Sequence, residues 1–200
     1  DDEMRWVKKN GGYMTVCGSR SHGEKDPKGK EAKRQVKLFF EKLKPHYELA
    51  ESLGITIAIE NHKNSMLSSP DSIRYFVDLN PSKNVGIAFA PHHLHDAIDE
   101  IPGLIKHCGK ENLPFIYFQE YHMSSKEEMV KVEELKQMPG FGSLDYVPIL
   151  AALCDVDFNG LAEIFMHPTP RGEPMLPTAT EISQVINHSR EYLTDCLAKL

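Results

Sequence analysis

LGITIAIENH, residues 53–62, is the stretch that decides the fold class. Its three isoleucines alternate with Thr56, Ala58 and Glu60, so the two faces of a strand would carry different side chains. The isoleucine face suits packing against helices, and the face of small and polar residues suits the interior of a barrel. Gly54 lies where a glycine at a helix C-terminus is expected. The segment therefore predicts a strand that follows directly on a helix.

The same alternation continues along the chain in both directions. In NVGIAFA, residues 84–90, Val85, Ile87 and Phe89 would face one way and small residues the other. Pro45 is expected to kink a long helix or to divide it into two pieces. The remaining predicted elements are strands at 11–19, 113–119 and 160–167, and helices at 31–53, from Ser69-Pro70, at 96–107, at 145–153 and from the capping-box pattern Thr178-x-x-Glu181.

Five strands that alternate with helices predict a parallel α/β sheet. An open doubly wound sheet and a closed barrel both fit this order. The chain contains neither G-x-G-x-x-G after its first strand nor G-x-x-x-x-G-K-[ST], which disfavours the nucleotide-binding versions of the open sheet. We interpret residues 1–200 as a single domain.

The composition is that of an ordinary globular protein, with 40% hydrophobic and 26% charged residues. A net charge of −6 argues against a nucleic-acid partner. No apolar run of about 18 residues is present, so a membrane partner is not expected. The polar start DDEMRWVKKN does not resemble a secretory signal. The four cysteines are far apart and form no C-x-x-C pair, which favours a reducing, cytoplasmic location.

Histidines cluster after the predicted strands. In a parallel barrel the carboxyl ends of the strands share one face, and active sites form there. Imidazoles that converge on that face with Glu60 indicate a metal or an acid–base site. A single loop histidine is more often a surface residue or a helix cap, and we interpret His92 and His95 in this way. Seven of the ten histidines lie within a few residues of a predicted strand end: His22, His62, His92, His93, His95, His122 and His167.

Other polar residues end strands on the inward face. Glu60 is the clearest, because an unpaired carboxylate is costly to bury. Gln119 and His167 end their strands in the inward register, although each also fits a core polar residue that a neighbour satisfies. Arg171, in the loop HPTPRG, either binds a carboxylate or phosphate of a substrate or holds the loop in place.

At these residues the chain resembles the sugar phosphate isomerase/epimerase family with the xylose isomerase-like barrel. The resemblance covers nearly the whole chain and implies the C-terminal five β/α units of a (β/α)₈ TIM barrel. Three strands that precede them in the family are not seen, so the domain reads as N-terminally truncated. The segments that carry the resemblance are LGITIAIENH, NVGIAFAPHHLHDA, LPFIYFQEY, PGFGSLDYVPILAAL, FNGLAEIFMHPTPRG and EISQVINHSREYL.

The resemblance also implies a metal-assisted reaction. Family members hold a divalent metal with Glu, Asp, His and Glu at four strand ends, and carboxylates move a proton next to a carbonyl through an enediolate. Glu60 matches the first of these glutamates, which is also a base, and His93 matches a substrate-binding histidine. The other three ligand positions fall at Ala90, Gln119 and near Phe165.

Two readings of this altered set remain. Either the branch has rebuilt the site from Glu60, Gln119 and His167, with His62 or His93 as further donors, or it has lost metal-dependent catalysis. We expect a rebuilt site that binds manganese, magnesium, cobalt or zinc. The expected roles are catalysis for Glu60 and His93, substrate binding for His62, Gln119 and Arg171, and metal binding for Glu60, Gln119 and His167.

Three functions follow from this interpretation. The first is an isomerase or epimerase of sugar metabolism that acts on a small sugar or sugar phosphate. The second is a catalytically silent barrel that binds a sugar or a partner. The third, an endonuclease relative with the same barrel, is disfavoured by the acidic charge balance. A five-stranded sheet would also expose an apolar edge, so a homo-oligomer that covers this edge is a further expectation.

Overall fold

Five parallel strands form one sheet in the order of the sequence, and the sheet curls into a half-barrel. This computed structural model describes residues 1–120, 131–168 and 171–200. In the register of the sheet, Glu60 lies beside Gly18 on one side and Ala88 on the other. The strands are β1 (Met14–Gly18), β2 (Thr56–Glu60), β3 (Val85–Phe89), β4 (Phe115–Phe118) and β5 (Leu161–Ile164).

Helices connect the strands and cover the outer face of the sheet. The helix expected at 96–107 differs from the prediction, because the backbone at Leu94 and Ala97 is not helical. The chain there forms short 3₁₀ turns within Pro91–Glu100, interrupted at these two residues, before the α-helix begins. The α-helices are α1 (Asp2–Lys9), α2 (Gly29–Leu53), α3 (Pro70–Leu79), α4 (Ile101–Cys108), α5 (Val147–Asp155) and α6 (Ala179–Leu197), and further 3₁₀ helices cover Lys110–Asn112 and Lys131–Gln137.

Local sequence signals set several helix ends. Ser69 and Thr178 each accept a hydrogen bond from a backbone N–H at the third helical position, as the capping patterns predict. Gly54 ends α2 with φ 63°, a conformation that glycine adopts without strain. The helix continues through Pro45 as one element, and both Pro45 and Glu41, whose carbonyl group loses its helical partner to the proline, are exposed residues.

The two faces of the sheet carry two separate groups of buried side chains. Ile55, Ile57 and Ile59 pack into the large core between the sheet and the helices. A smaller group fills the inner face, where the predicted inward residues Ala58 and Ala88 meet. The alternation in LGITIAIENH is therefore confirmed. The full inner group is Ala58, Ala88, Ala90, Phe115 and Tyr117, with Met14 and Phe165 packed against it.

The half-barrel has two edges, β1 and β5. Within the described residues, no strand pairs with the outer side of either. Val16 on β1 is 40% exposed and Leu161 on β5 is 44% exposed, so apolar side chains lie open at both edges. None of the helices in the described ranges combines the length and the apolar composition needed to cross a bilayer.

Candidate active site at the carboxyl ends of the strands

Glu60 occupies the last position of β2, at the carboxyl end of the sheet. Its side chain is 28% exposed, so the carboxylate is largely desolvated but can still meet a ligand. Burial raises the pKa of the Glu60 carboxyl group, and the neighbouring His62 acts in the opposite direction. A carboxyl group whose pKa is raised binds a proton more strongly than a free one, which suits a residue that accepts protons.

Two histidines approach this carboxylate from neighbouring strand ends. Nε2 of His93 lies 3.8 Å from Oε1 of Glu60, and the ring centroids of His62 and His93 are 3.9 Å apart. Metal-binding atoms of Glu60, His62 and His93 all lie within 4.8 Å of one another. Among the described histidines, cysteines and carboxylates, this is the one group of three that close together. Two imidazoles and a carboxylate are a donor set that zinc, manganese, cobalt and iron accept.

Asn61 holds the two strand ends together. Its side-chain Nδ2 donates to the carbonyl oxygen of Ala90 over 2.9 Å, and its Oδ1 accepts from the backbone N–H of Ala90 over 2.7 Å. Asn61 is fully buried, so both bonds are shielded from water. No role was predicted for this residue, although an amide side chain between Glu60 and His62 is a signal in the sequence that could have drawn attention to it.

His92 lies deeper in the site than the sequence indicated. Its ring centroid is 4.1 Å from that of His93 and 6.5 Å from that of Tyr117. Burial first, and then the charges of nearby histidines, lower the pKa of His92 to about 2 and that of His93 to about 3, so both rings are neutral near pH 7. Neither His92 nor His95 is a fully exposed surface residue, since both are partly buried and the side chain of His95 is only 10% exposed.

Gln119 and His167 meet on the other side of the site, but through a third residue. Nε2 of Gln119 donates to Oε1 of Gln137 over 2.8 Å. The same oxygen accepts from the backbone N–H of His167 over 2.6 Å, and Nε2 of Gln137 donates to the carbonyl oxygen of His167 over 3.1 Å. Oε1 of Gln119 is buried and accepts no hydrogen bond from the described residues. Metal binding by Gln119 and His167 stays a prediction.

An aromatic wall joins the two sides of the site. The ring centroid of Tyr117 is 4.8 Å from that of Phe115 and 5.3 Å from that of Phe165. Phe165 in turn lies 6.4 Å from the ring of His167. Burial, together with the charges of Glu60 and Glu163, raises the pKa of Tyr117 to about 12, so its hydroxyl group stays protonated. No role in the site was predicted for Tyr117 from the sequence.

Glu120 is a buried carboxylate with a structural role. It is 3% exposed and accepts hydrogen bonds from the backbone N–H groups of Gly140, over 3.2 Å, and Leu144, over 2.9 Å. Burial raises the pKa of Glu120, and these N–H groups act against the rise. A side chain at Gly142 would collide with the carboxylate, which explains the glycine there. Glu120 therefore stabilises the loop that precedes α5.

Arg171 is the remaining substrate-binding residue that the sequence predicts. The side chain of Arg171 is exposed. Its role in substrate binding stays a prediction, and His122 lies outside the described residues. A cleft of about 380 Å³ opens beside His93 and is lined with charged side chains, among them Lys63, Arg74 and Asp96. Such a cleft suits a polar ligand better than an apolar one.

A family model described as the xylose isomerase-like TIM barrel matches residues 2–192. A comparison with curated protein sequences gives no match. Among solved structures, the IolI protein with bound zinc has a TM-score of 0.67 at 17% identity, with 99% of this chain and 67% of that chain covered.

Two further structures are similar to the same extent. A D-tagatose 3-epimerase-like protein has a TM-score of 0.65 at 16% identity, with 98% and 68% of the two chains covered. D-psicose 3-epimerase from Clostridium cellulolyticum H10, solved with D-tagatose, has a TM-score of 0.69 at 16% identity and the same coverage. At such identities the likeness concerns the fold. This chain spans about two thirds of their length, and the predicted fold class, five β/α units of this barrel, is confirmed.

Proposed function

The chain belongs to the xylose isomerase-like TIM-barrel family, and we propose that it is an isomerase or epimerase that moves a proton next to the carbonyl group of a small sugar or sugar phosphate. Its structural neighbours include sugar epimerases. The observation that carries the proposal is the convergence of Glu60, His62 and His93 at the carboxyl ends of β2 and β3.

Glu60 is the proton acceptor in this proposal. A carboxylate at the mouth of the half-barrel can reach a C–H bond of a sugar chain lying across the strand ends, and partial burial makes it a stronger base. His93, 3.8 Å from that carboxylate, is neutral, so it can act on the substrate oxygen beside the reacting carbon either by a hydrogen bond or as a ligand of a bound ion. The cleft beside His93 supplies polar groups for the remaining hydroxyl groups.

A divalent metal fits this site. When bound, such an ion polarises a carbonyl and an adjacent hydroxyl group, which acidifies the C–H bond between them. The IolI structure contains zinc, and the donors of this chain suit zinc, manganese or cobalt better than magnesium. Two donor sets share Glu60: one adds Gln119 and His167, and the other adds His62 and His93. Arg171, four residues beyond His167 in the chain, would bind a phosphate group of the substrate.

A binding module without catalysis is the second candidate. Ala90 and Gln119 stand where the resemblance expects an aspartate and a histidine, and Ala90 offers no donor atom. A barrel of this kind would still bind a sugar through the charged cleft and the strand-end histidines. Substrate exchange measurements separate this candidate from the enzyme.

Cellular setting and assembly are also proposals. The cysteines Cys17, Cys108, Cys154 and Cys196 are free thiols, which suits a reducing cytoplasm. The exposed apolar side chains at the edges β1 and β5 would be covered in a homo-oligomer.

The decisive experiment is proton exchange in heavy water. The protein would be incubated with D-fructose, D-tagatose and D-psicose in D₂O, with manganese, cobalt or zinc, and followed by NMR. We expect deuterium to appear on the carbon next to the carbonyl group. Glu60→Gln should slow this exchange at least about 100-fold, because the base is lost.

Glu41→Gln is the matched control, because Glu41 is an exposed carboxylate on α2 away from the strand ends and should leave the rate unchanged. Sugar binding without exchange, with every metal, would exclude the isomerase and support the binding module. Exchange that persists in Glu60→Gln would remove Glu60 from its proposed role.

A further inference from the structure

The spacing of three donor atoms on the β2–β3 side is close to that of a metal site. Zinc bonds of about 2.0–2.2 Å in tetrahedral geometry place neighbouring ligand atoms about 3.3–3.6 Å apart. Nε2 of His93 and Oε1 of Glu60 are separated by 3.8 Å, and all three donors of Glu60, His62 and His93 fit within 4.8 Å. Small rotations of these side chains are enough to close them around one ion.

The hydrogen bonding of His62 suits a metal ligand. Its Nδ1 lies 2.8 Å from the carbonyl oxygen of Lys63, which can only accept, so Nδ1 carries the proton and Nε2 keeps its lone pair. Metal-binding histidines commonly donate their second ring N–H to such an outer partner. The backbone of His62 is fixed as well, since its N–H donates to Leu67 over 2.8 Å and its carbonyl accepts from Oγ of Ser65 over 2.6 Å.

The two histidines come from strand ends that cannot move apart easily. His62 follows Asn61, and the amide of Asn61 is bonded to both backbone groups of Ala90, three residues before His93. The donors of β2 and β3 are therefore held in one unit. This kind of support is what keeps ligands in place before the ion arrives.

On the β4–β5 side, polar groups are used for bracing. The amide nitrogen of Gln119 is bonded to Gln137, and both backbone groups of His167 are bonded to the same residue. At the end of β3, the methyl group of Ala90 faces the inner aromatic and alanine group and offers no donor. We infer that Glu60, His62 and His93 are the metal ligands of this chain, so that the ion is held between β2 and β3.

The inference rests on the proposed function only for what the bound ion does. Binding of the ion by these three residues does not depend on that function. Two imidazoles and one carboxylate leave coordination positions open, as in other sites with this donor set. Two adjacent oxygens of a polyhydroxy carbonyl compound can fill such positions. The substrate would then lie over β2 and β3, with Gln119 and His167 at its far end.

Metal binding by the purified, EDTA-treated protein tests the inference. Titrations with Mn²⁺, followed by electron paramagnetic resonance, and with Zn²⁺, followed by calorimetry, should give one ion per chain. Loss of an outer partner alone commonly weakens metal binding by about 10–100-fold, so His62→Ala, His93→Ala and Glu60→Ala should each weaken it by at least tenfold. Gln119→Ala and His167→Ala should leave the affinity within about twofold.

His46→Ala is the matched control, because His46 is an exposed histidine on α2. His62→Ala is the decisive variant, since the exposed ring of His62 contributes little to the core and the protein should keep its circular dichroism and melting temperature. Loss of binding in Gln119→Ala and His167→Ala with retention in His62→Ala would overturn the inference, as would no binding by the unaltered protein. Binding at this site without proton exchange would refute only the proposed function, and exchange without bound metal would refute only the inference.

Discussion

The two halves of the strand-end face are built in opposite ways. On the β2–β3 side, Asn61 bonds to backbone groups, which leaves the side chains of His62 and His93 available to a ligand. On the β4–β5 side, the amide nitrogen of Gln119 donates to Gln137, and the amide of Gln137 is bonded to both backbone groups of His167. The β2–β3 half therefore presents donor side chains on a fixed backbone, whereas the β4–β5 half uses polar side chains to fix its own backbone.

Replacement of Asn61 is expected to have the largest effect on this contrast. Asn61→Ala removes two buried hydrogen bonds, which leaves the N–H of Ala90 unpaired and its carbonyl bonded only to the N–H of His93, and should lower the free energy of unfolding by about 2–4 kcal/mol. Metal affinity should also fall by about tenfold, as for the loss of an outer partner. Urea unfolding and Mn²⁺ titration measure the two effects.

Asn84→Ala provides the matched comparison for Asn61. Nδ2 of Asn84 donates to the carbonyl of Ile55 over 2.8 Å at the opposite, amino end of β2. This variant should lose stability but keep its metal affinity. Equal loss of affinity in both variants would mean that Asn61 acts through general stability and has no special role in positioning the ligands.

Replacement of Gln137 should have an intermediate effect and the reverse pattern. Gln137→Ala leaves the amide of Gln119 and the backbone of His167 without their partner, at an expected cost of about 2 kcal/mol. Because these groups brace the β4–β5 side, Mn²⁺ affinity should stay within about twofold. Gln35→Ala is a suitable control, since Gln35 is a buried glutamine that holds a loop beside α2. A large fall in affinity for Gln137→Ala alone would erase the contrast between the halves.

The smallest effect is expected away from both halves, at the start of α6. Oγ1 of Thr178 accepts from the N–H of Glu181 over 3.2 Å, and Thr178→Ala should cost about 1 kcal/mol of stability. Thermal unfolding measures this loss, and metal affinity and proton exchange should not change. A change in either would show that stability alone alters the site, and would weaken the interpretation of the larger effects.

Sequence patterns predicted the fold more completely than they predicted the site. The alternation of Ile55, Ile57 and Ile59 with Ala58 and Glu60 placed each residue on its face, because the period of a strand is local. The cap at Thr178 followed from four consecutive residues for the same reason.

The bracing residues could not be found in this way. Asn61 bonds to a residue 29 positions away, and Gln137 to one 30 positions away, so their partners depend on how the strands align. The burial of His92 depends on the ring of Tyr117 from another strand. Such contacts follow from tertiary packing and leave no periodic trace in the chain.

The bonding of Asn61 has an evolutionary consequence for position 90. Because the side chain of Asn61 is hydrogen-bonded to the backbone N–H and carbonyl at position 90 and not to the side chain there, any residue other than proline can keep these two bonds. A lineage could therefore exchange an acidic side chain there for a methyl group in one mutational step without loosening the backbone. Ligand replacement at this face would then pass through folded intermediates, so selection could act on new donors such as His62 one substitution at a time.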